Sequence, residues 1–96
     1  MSTFISLVNF TEQGIKDVKN SPARAQAFTD MAKKLGVTVK AIYWPVGAYD
    51  VVVVAEGSDE AVTAALLTVG SAGNVRSQTL RAFDADEMRK ILATMH

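Results

Sequence analysis

An α+β fold built on one antiparallel, four-stranded sheet is what this sequence predicts, and three observations predict it. Segments of strand and helix character follow one another as strand, helix, strand, strand, helix, strand, helix. The third strand, Val51-Val52-Val53-Val54-Ala55, is apolar at every position. The second carries Tyr43 and Trp44 into a Pro45-Val46-Gly47 turn, which delivers Tyr49-Asp50 to the start of the third. The first six elements have the order of the ferredoxin-like split βαβ unit, whose antiparallel sheet holds both long helices on one face. A C-terminal helix is added to it.

Each element has a local reason. Phe4 to Phe10 reads as the first strand, with Phe4, Ser6, Val8 and Phe10 on one face and Ile5, Leu7 and Asn9 on the other. Thr11-Glu12-Gln13-Gly14 ends it, and Thr11 can cap a short turn through Ile15 to Val18. Ser21-Pro22 opens the first long helix, serine as N-cap and proline at the first helical position. Its stripe is Ala25, Phe28, Ala32 and Leu35, Asp30 and Lys34 can pair on the outer side, and Gly36 stops it. Val37 to Trp44 and Asp50 to Ala55 are the next two strands, joined by a connection of hairpin length. On the former, Val39, Ala41 and Tyr43 share one side, and Ile42 and Trp44 the other. Ser58 caps a helix with Asp59 and Glu60 at its positive end, a stripe of Val62, Ala65, Leu66 and Val69, and a stop at Gly70-Ser71-Ala72-Gly73. Val75 to Phe83 is the fourth strand. Asp84 and Glu87 have capping-box spacing and start a last helix on which Met88, Ile91, Leu92 and Met95 share a face.

The composition bounds the function. The 96 residues argue for a single domain spanning the chain. Ten basic and ten acidic residues give no net charge, hence no electrostatic footprint for nucleic acid or an anionic membrane. No apolar run approaches the roughly 20 residues of a membrane span, and the N-terminus reads as a strand rather than a signal peptide. The cytoplasm is the expected location. There is no cysteine, and the one histidine is His96, so neither a thiolate or histidine-rich metal site nor a Ser-His or Cys-His nucleophile can be assembled within one chain. The acidic clusters Asp59-Glu60 and Asp84-Asp86-Glu87 sit at helix starts, where capping accounts for them. No metal and no cofactor are expected.

Alternation marks a half-exposed sheet, and the third strand lacks it, so the sheet should be covered on both faces. One extra helix cannot cover a four-stranded face. The expected cover is a second copy of the same sheet, giving a homodimer or higher homo-oligomer joined face to face.

The motif Gly47-Ala48-Tyr49-Asp50 is similar to that of the GYD domain family, with one residue inserted between Gly and Tyr. The resemblance continues through Phe10 to Lys16, Ser21 to Arg24 and Gly73 to Phe83, nearly the whole chain. It implies a ferredoxin-like fold able to associate as a dimeric α+β barrel, and it implies no reaction and no catalytic residues.

The residues that could hold a ligand are Tyr43, Trp44, Tyr49, Asp50, Lys16 and Arg81. Tyr43 and Trp44 are amphipathic aromatics near a strand end, suited to line a pocket, though such residues more often anchor a core or interface. Tyr49-Asp50 joins a phenol to a carboxylate, which can serve as an acid-base pair. The structural reading, with Asp50 accepting from turn amides, is favoured because neighbouring strand residues point opposite ways. Lys16, Arg24, Arg76 and Arg81 lie in the family-like segments. Arg76 and Arg81 should face opposite sides of the sheet, and Arg24, opposed to its helix dipole, should have a partner or an anion nearby. Two functions follow. The first is a ligand-binding or assembly module. The alternative is a cofactor-independent enzyme, of isomerase or oxygenase type, acting on a small organic molecule beside Tyr43, Trp44, Tyr49 and Asp50.

Overall fold

A computed structural model describes residues 1–96. Strand β1 (Ser2–Phe10) leads into a short helix α1 (Glu12–Lys16) and a 3-10 turn (Val18–Asn20). Helix α2 (Ser21–Lys34), strands β2 (Thr38–Tyr43) and β3 (Val51–Gly57), helix α3 (Asp59–Ser71), strand β4 (Val75–Ala82) and helix α4 (Ala85–Leu92) follow. All strand pairs are antiparallel, in the order β2-β3-β1-β4. The α+β architecture and the sheet are those the sequence predicts. No helix is long and apolar enough to cross a membrane.

Helices α2 and α3 lie side by side on one face of the sheet. Register assigns that face. Ser6 stands opposite Val53 and Thr79, and Val8 opposite Val51 and Ser77. Val8, Val51, Val53 and Ala55 form the buried core with Ala32, Val37, Val62 and Ala65, and Phe4, Phe28, Met31 and Leu66 pack around it. The other face carries Ile5 between Val54 and Leu80, Leu7 between Val52 and Gln78, and Tyr43 opposite Val52. No element of the chain covers it. Tyr43 is 65% exposed and Leu80 42%.

The second strand differs from expectation. A bulge between Val39 and Ala41 adds a residue to β2. Val39 therefore pairs with Ala55 and joins the core side, while Ala41 and Tyr43 stay on the open face. One extra residue reverses the phase of a period-two strand. Arg76 and Arg81 pair with Asn9 and Phe4, and so face opposite sides as expected.

The helix ends follow local chemistry. Thr11 accepts from the Gly14 amide, Ser58 accepts from the Ala61 amide, and Asp84 with Glu87 makes a reciprocal capping box at 2.8 and 3.0 Å. Ser21 is not an N-cap. The 3-10 turn runs directly into α2, so Ser21 already has helical angles, and its hydroxyl is used elsewhere. Asp30 accepts from Gln26 at 3.0 Å and makes no ion pair with Lys34.

Helix α4 stands apart. None of its residues is buried, and Met88, Ile91 and Leu92 are exposed; Met95, expected on the same face, lies past the helix end, where the Thr94 and Met95 amides turn back to the Ile91 and Leu92 carbonyls. Its first turn is held by Arg81, which lies over the Phe83 ring at 4.4 Å, over the Phe4 ring at 5.8 Å, and 3.8 Å from Glu87. The molecule is correspondingly long, 51 × 31 × 18 Å.

Candidate functional site

Where β1 ends and β3 begins, the helix layer parts from the sheet. The first half of α2 and the second half of α3 roof a cavity of about 90 Å³. Its floor is Ser6, Val8, Val51 and Val53, and its walls include Phe28, Ile42, Trp44, Leu66 and Val69. Protein interiors pack with few voids larger than a water molecule, so a gap of this size in so short a chain is a feature to explain.

Most polar groups around the cavity are engaged, the Ser77 hydroxyl being the exception. Ser6 Oγ and Thr79 Oγ1 lie 2.8 Å apart across the β1–β4 pair. Ser21, buried at the start of α2, accepts from Trp44 Nε1 at 2.9 Å. That bond fixes the indole as a wall, and it explains why Ser21 is not spent on capping. At the rim, Asp17 accepts from Asn20 Nδ2 at 2.6 Å and from Arg24. Arg24 thus has the partner its place in the first turn of α2 requires.

Of the six residues singled out from the sequence, Trp44 alone lines this cavity. Tyr43 points to the open sheet face. Asp50 lies in the bend before β3, where its amide donates to Val8 O at 2.8 Å and its carboxylate accepts from the Phe10 amide at 2.9 Å. The side chain thereby extends the β1–β3 ladder one step beyond Val51. Tyr49 is half-buried in the same loop, and Lys16 is exposed at the end of α1. Arg81 lies at the opposite end of β1, clamped to Phe4, Phe83, Glu87 and the Thr3 carbonyl. Gly47, in the turn, has φ +155° with open space where a Cβ would stand, so its requirement is conformational rather than steric.

Sequence reasoning passed over Phe28, Leu66, Val69 and Ser6 as site residues, because each reads as an ordinary core position. It also passed over Gly14 as more than a strand terminator. A Cβ there would lie 1.9 Å from the Asn74 carbonyl oxygen. The only signal was a glycine within a helical turn, where propensity disfavours it.

Removing the Asp50 carboxylate tests its role in the ladder. Asp50→Ala strands the Phe10 amide and is expected to cost about 1–3 kcal/mol in a thermal or urea melt. Asp50→Asn, which keeps one acceptor oxygen, should cost less. A melting curve unchanged in both would remove Asp50 from the structural framework.

Fold and cavity together define a small split βαβ domain with an apolar chamber under its helices. The chain belongs to the GYD domain family, whose model matches residues 4–92. A similar protein is the "Glutamine synthetase and cystathionine beta-lyase binding protein" of Thermus thermophilus, 34% identical over 90 residues, which are 92% of this chain and 95% of that one. Among solved structures, the crystal structure of TTHA0845, also from Thermus thermophilus, superposes with a TM-score of 0.51 at 26% identity, covering 88% of this chain and 96% of that one.

Proposed function

We propose that this protein is a cytoplasmic docking module, assembled as a homodimer or higher homo-oligomer through its open sheet faces, that presents helix α4 to other proteins. The observation that carries the reading is α4 itself. Met88, Ile91 and Leu92 have the i, i+3, i+4 spacing by which a helix lies in a partner's groove, and all three are exposed, as is Met95 just past the helix end. Met88, Ile91 and Leu92 are left exposed, while Arg81 and the capping box hold the first turn of the helix. Met88 on the helix and Met95 just beyond it suit a surface that meets more than one partner, because the unbranched thioether adapts to irregular grooves. The Thermus relative is named for binding two enzymes, which supports protein docking as the shared task.

The open sheet face supports assembly separately. Ile5, Leu7, Val52, Val54 and Leu80 form one apolar surface with Tyr43 at its end. Surfaces of this kind on soluble proteins mark contacts with other proteins. A cofactor-independent enzyme working beside Tyr43, Trp44, Tyr49 and Asp50 draws less support, since only Trp44 of that set reaches the cavity.

Capture of purified glutamine synthetase and cystathionine beta-lyase by the immobilised protein tests the docking reading. Binding to at least one enzyme is expected, and Ile91→Glu should weaken it tenfold or more while leaving the melting temperature close to wild type. Equal binding by Ile91→Glu, or no binding to either enzyme, overturns the assignment of α4.

A further inference from the structure

The chamber under α2 and α3 has a chemistry of its own, separate from α4 and from the open sheet face. Its lining is mostly hydrocarbon and aromatic: Val8, Phe28, Val53, Leu66 and Val69, with Trp44, which is 43% exposed. Two of the three hydroxyls in the lining are paired within the protein, Ser6 with Thr79 and Ser21 with Trp44, and the third, on the exposed Ser77, makes no hydrogen bond. A molecule entering this space meets apolar surface and few free hydrogen-bonding groups. Its body must be apolar, because a polar group carried to the floor would lose its water without a replacement.

The rim is different. Asp17 and Arg24 are the charged residues of the lining. Both carboxylate oxygens of Asp17 already accept, one from Asn20 and one from Arg24. A guanidinium has five N–H donors, and Arg24 engages Asp17 through its Nη2. Arg24 therefore keeps donors beyond this bond, and it is the one cationic side chain of the lining. It calls for an acceptor, and the planar group that best meets a guanidinium is a carboxylate.

We propose that this cavity is a binding site for one small apolar carboxylate, its hydrocarbon body against Phe28, Trp44 and Leu66 and its carboxylate at Arg24. The volume, about 90 Å³, suits a body no larger than a single six-membered ring or a short branched chain. Enclosed apolar cavities of about 150 Å³ admit benzene, so a single ring is the upper limit for this smaller space. The bond between Trp44 and Ser21 pre-organises the aromatic wall before any ligand arrives.

Trp44 is the one tryptophan of the chain, so its fluorescence reports on this wall alone. The full-length protein is titrated with benzoate, with benzamide of the same shape but no charge, and with acetate, which has the charge but no body. Benzoate is expected to change Trp44 emission saturably, in the weak range of a fragment-sized ligand. Benzamide should bind about tenfold more weakly, a loss of the size of one charge-assisted hydrogen bond. Acetate should leave the emission unchanged. Arg24→Gln should reduce benzoate to the level of benzamide. Ala25→Leu, which fills the chamber from α2, should abolish the response without lowering the melting temperature. No saturable response to benzoate overturns the site. Equal affinity for benzoate and benzamide, or unchanged benzoate binding in Arg24→Gln, overturns the carboxylate assignment. None of these readings depends on capture of a protein partner.

Discussion

Val53→Asp is expected to unfold the protein, whereas Val54→Asp, one residue along, should leave the subunit folded and break the assembly. The two side chains leave β3 on opposite faces. Val53 is 8% exposed and stands opposite Ser6 and Ile42 beneath the helix layer. A carboxylate there finds no free donor, because the Ser6 hydroxyl is held by Thr79. Burying an uncompensated charge, or forcing it to stay protonated, costs several kcal/mol, and domains hold only about 5–15 kcal/mol in total. A chain this short belongs to the weaker end of that range. Val54 stands opposite Ile5 and Ala41 on the open face. A carboxylate there is solvated in the single subunit and desolvated only when a second sheet covers it. Circular dichroism melts and light scattering at micromolar concentration separate the outcomes. Wild type should scatter as at least a dimer, Val54→Asp as a folded monomer, and Val53→Asp should show no cooperative melt. A folded Val54→Asp that keeps the wild-type mass would exclude the open face as the subunit contact.

Gly14→Ala should be nearly as severe for so small a change. The added Cβ would lie 1.9 Å from Asn74 O and 2.8 Å from its carbonyl carbon. Both are backbone atoms. The same Asn74 carbonyl accepts from the Thr11 amide at 3.1 Å, Thr11 Oγ1 donates to the Gly73 carbonyl, and Gln13 bonds Ala72 and Asn74. Helix α1 is thus stitched to the entrance of β4, and one methyl group forces the two apart. Overpacking against a rigid neighbour costs about 1–3 kcal/mol and occasionally more, and the upper part of that range is expected here. For a domain of this size that lowers the melting temperature by roughly 10–20 °C. Gly70→Ala is the control, since open space surrounds that position. A Gly14→Ala melt within a degree or two of wild type would mean that α1 is free to shift.

What could be read from the sequence was what is decided locally. The caps at Ser58 and Asp84, the stop at Gly36 and the two-faced apolar strand Val51–Ala55 each depend on residues close together in the chain, and each was legible. The cavity was not, because a gap is a property of three elements meeting, and Phe28, Leu66 and Val69 look alike whether they touch or stand apart. Ser21 had the right company for an N-cap, with Pro22 behind it. A 3-10 turn that nothing in Val18-Lys19-Asn20 announces moved the helix start upstream and freed the hydroxyl for Trp44. The bulge near Lys40 was equally silent, so the side taken by Val39 was misassigned. Asp50 was legible as a structural carboxylate; that its donor would be Phe10, 40 positions earlier, was not.

The order of the strands also governs how the chain comes together in time. Strand β1 is synthesised first, yet it lies between β3 and β4, and Thr3 must wait for Glu56 on one side and Ala82 on the other. Such distant pairings make for slow folding, since loop closure precedes the contacts that reward it. Until β4 emerges, one edge of β1 has no partner, and Ile5 and Leu7 remain open to any other nascent strand. Until residue 82 has been made, therefore, at least one edge of the central strand is open to pairing with the wrong chain.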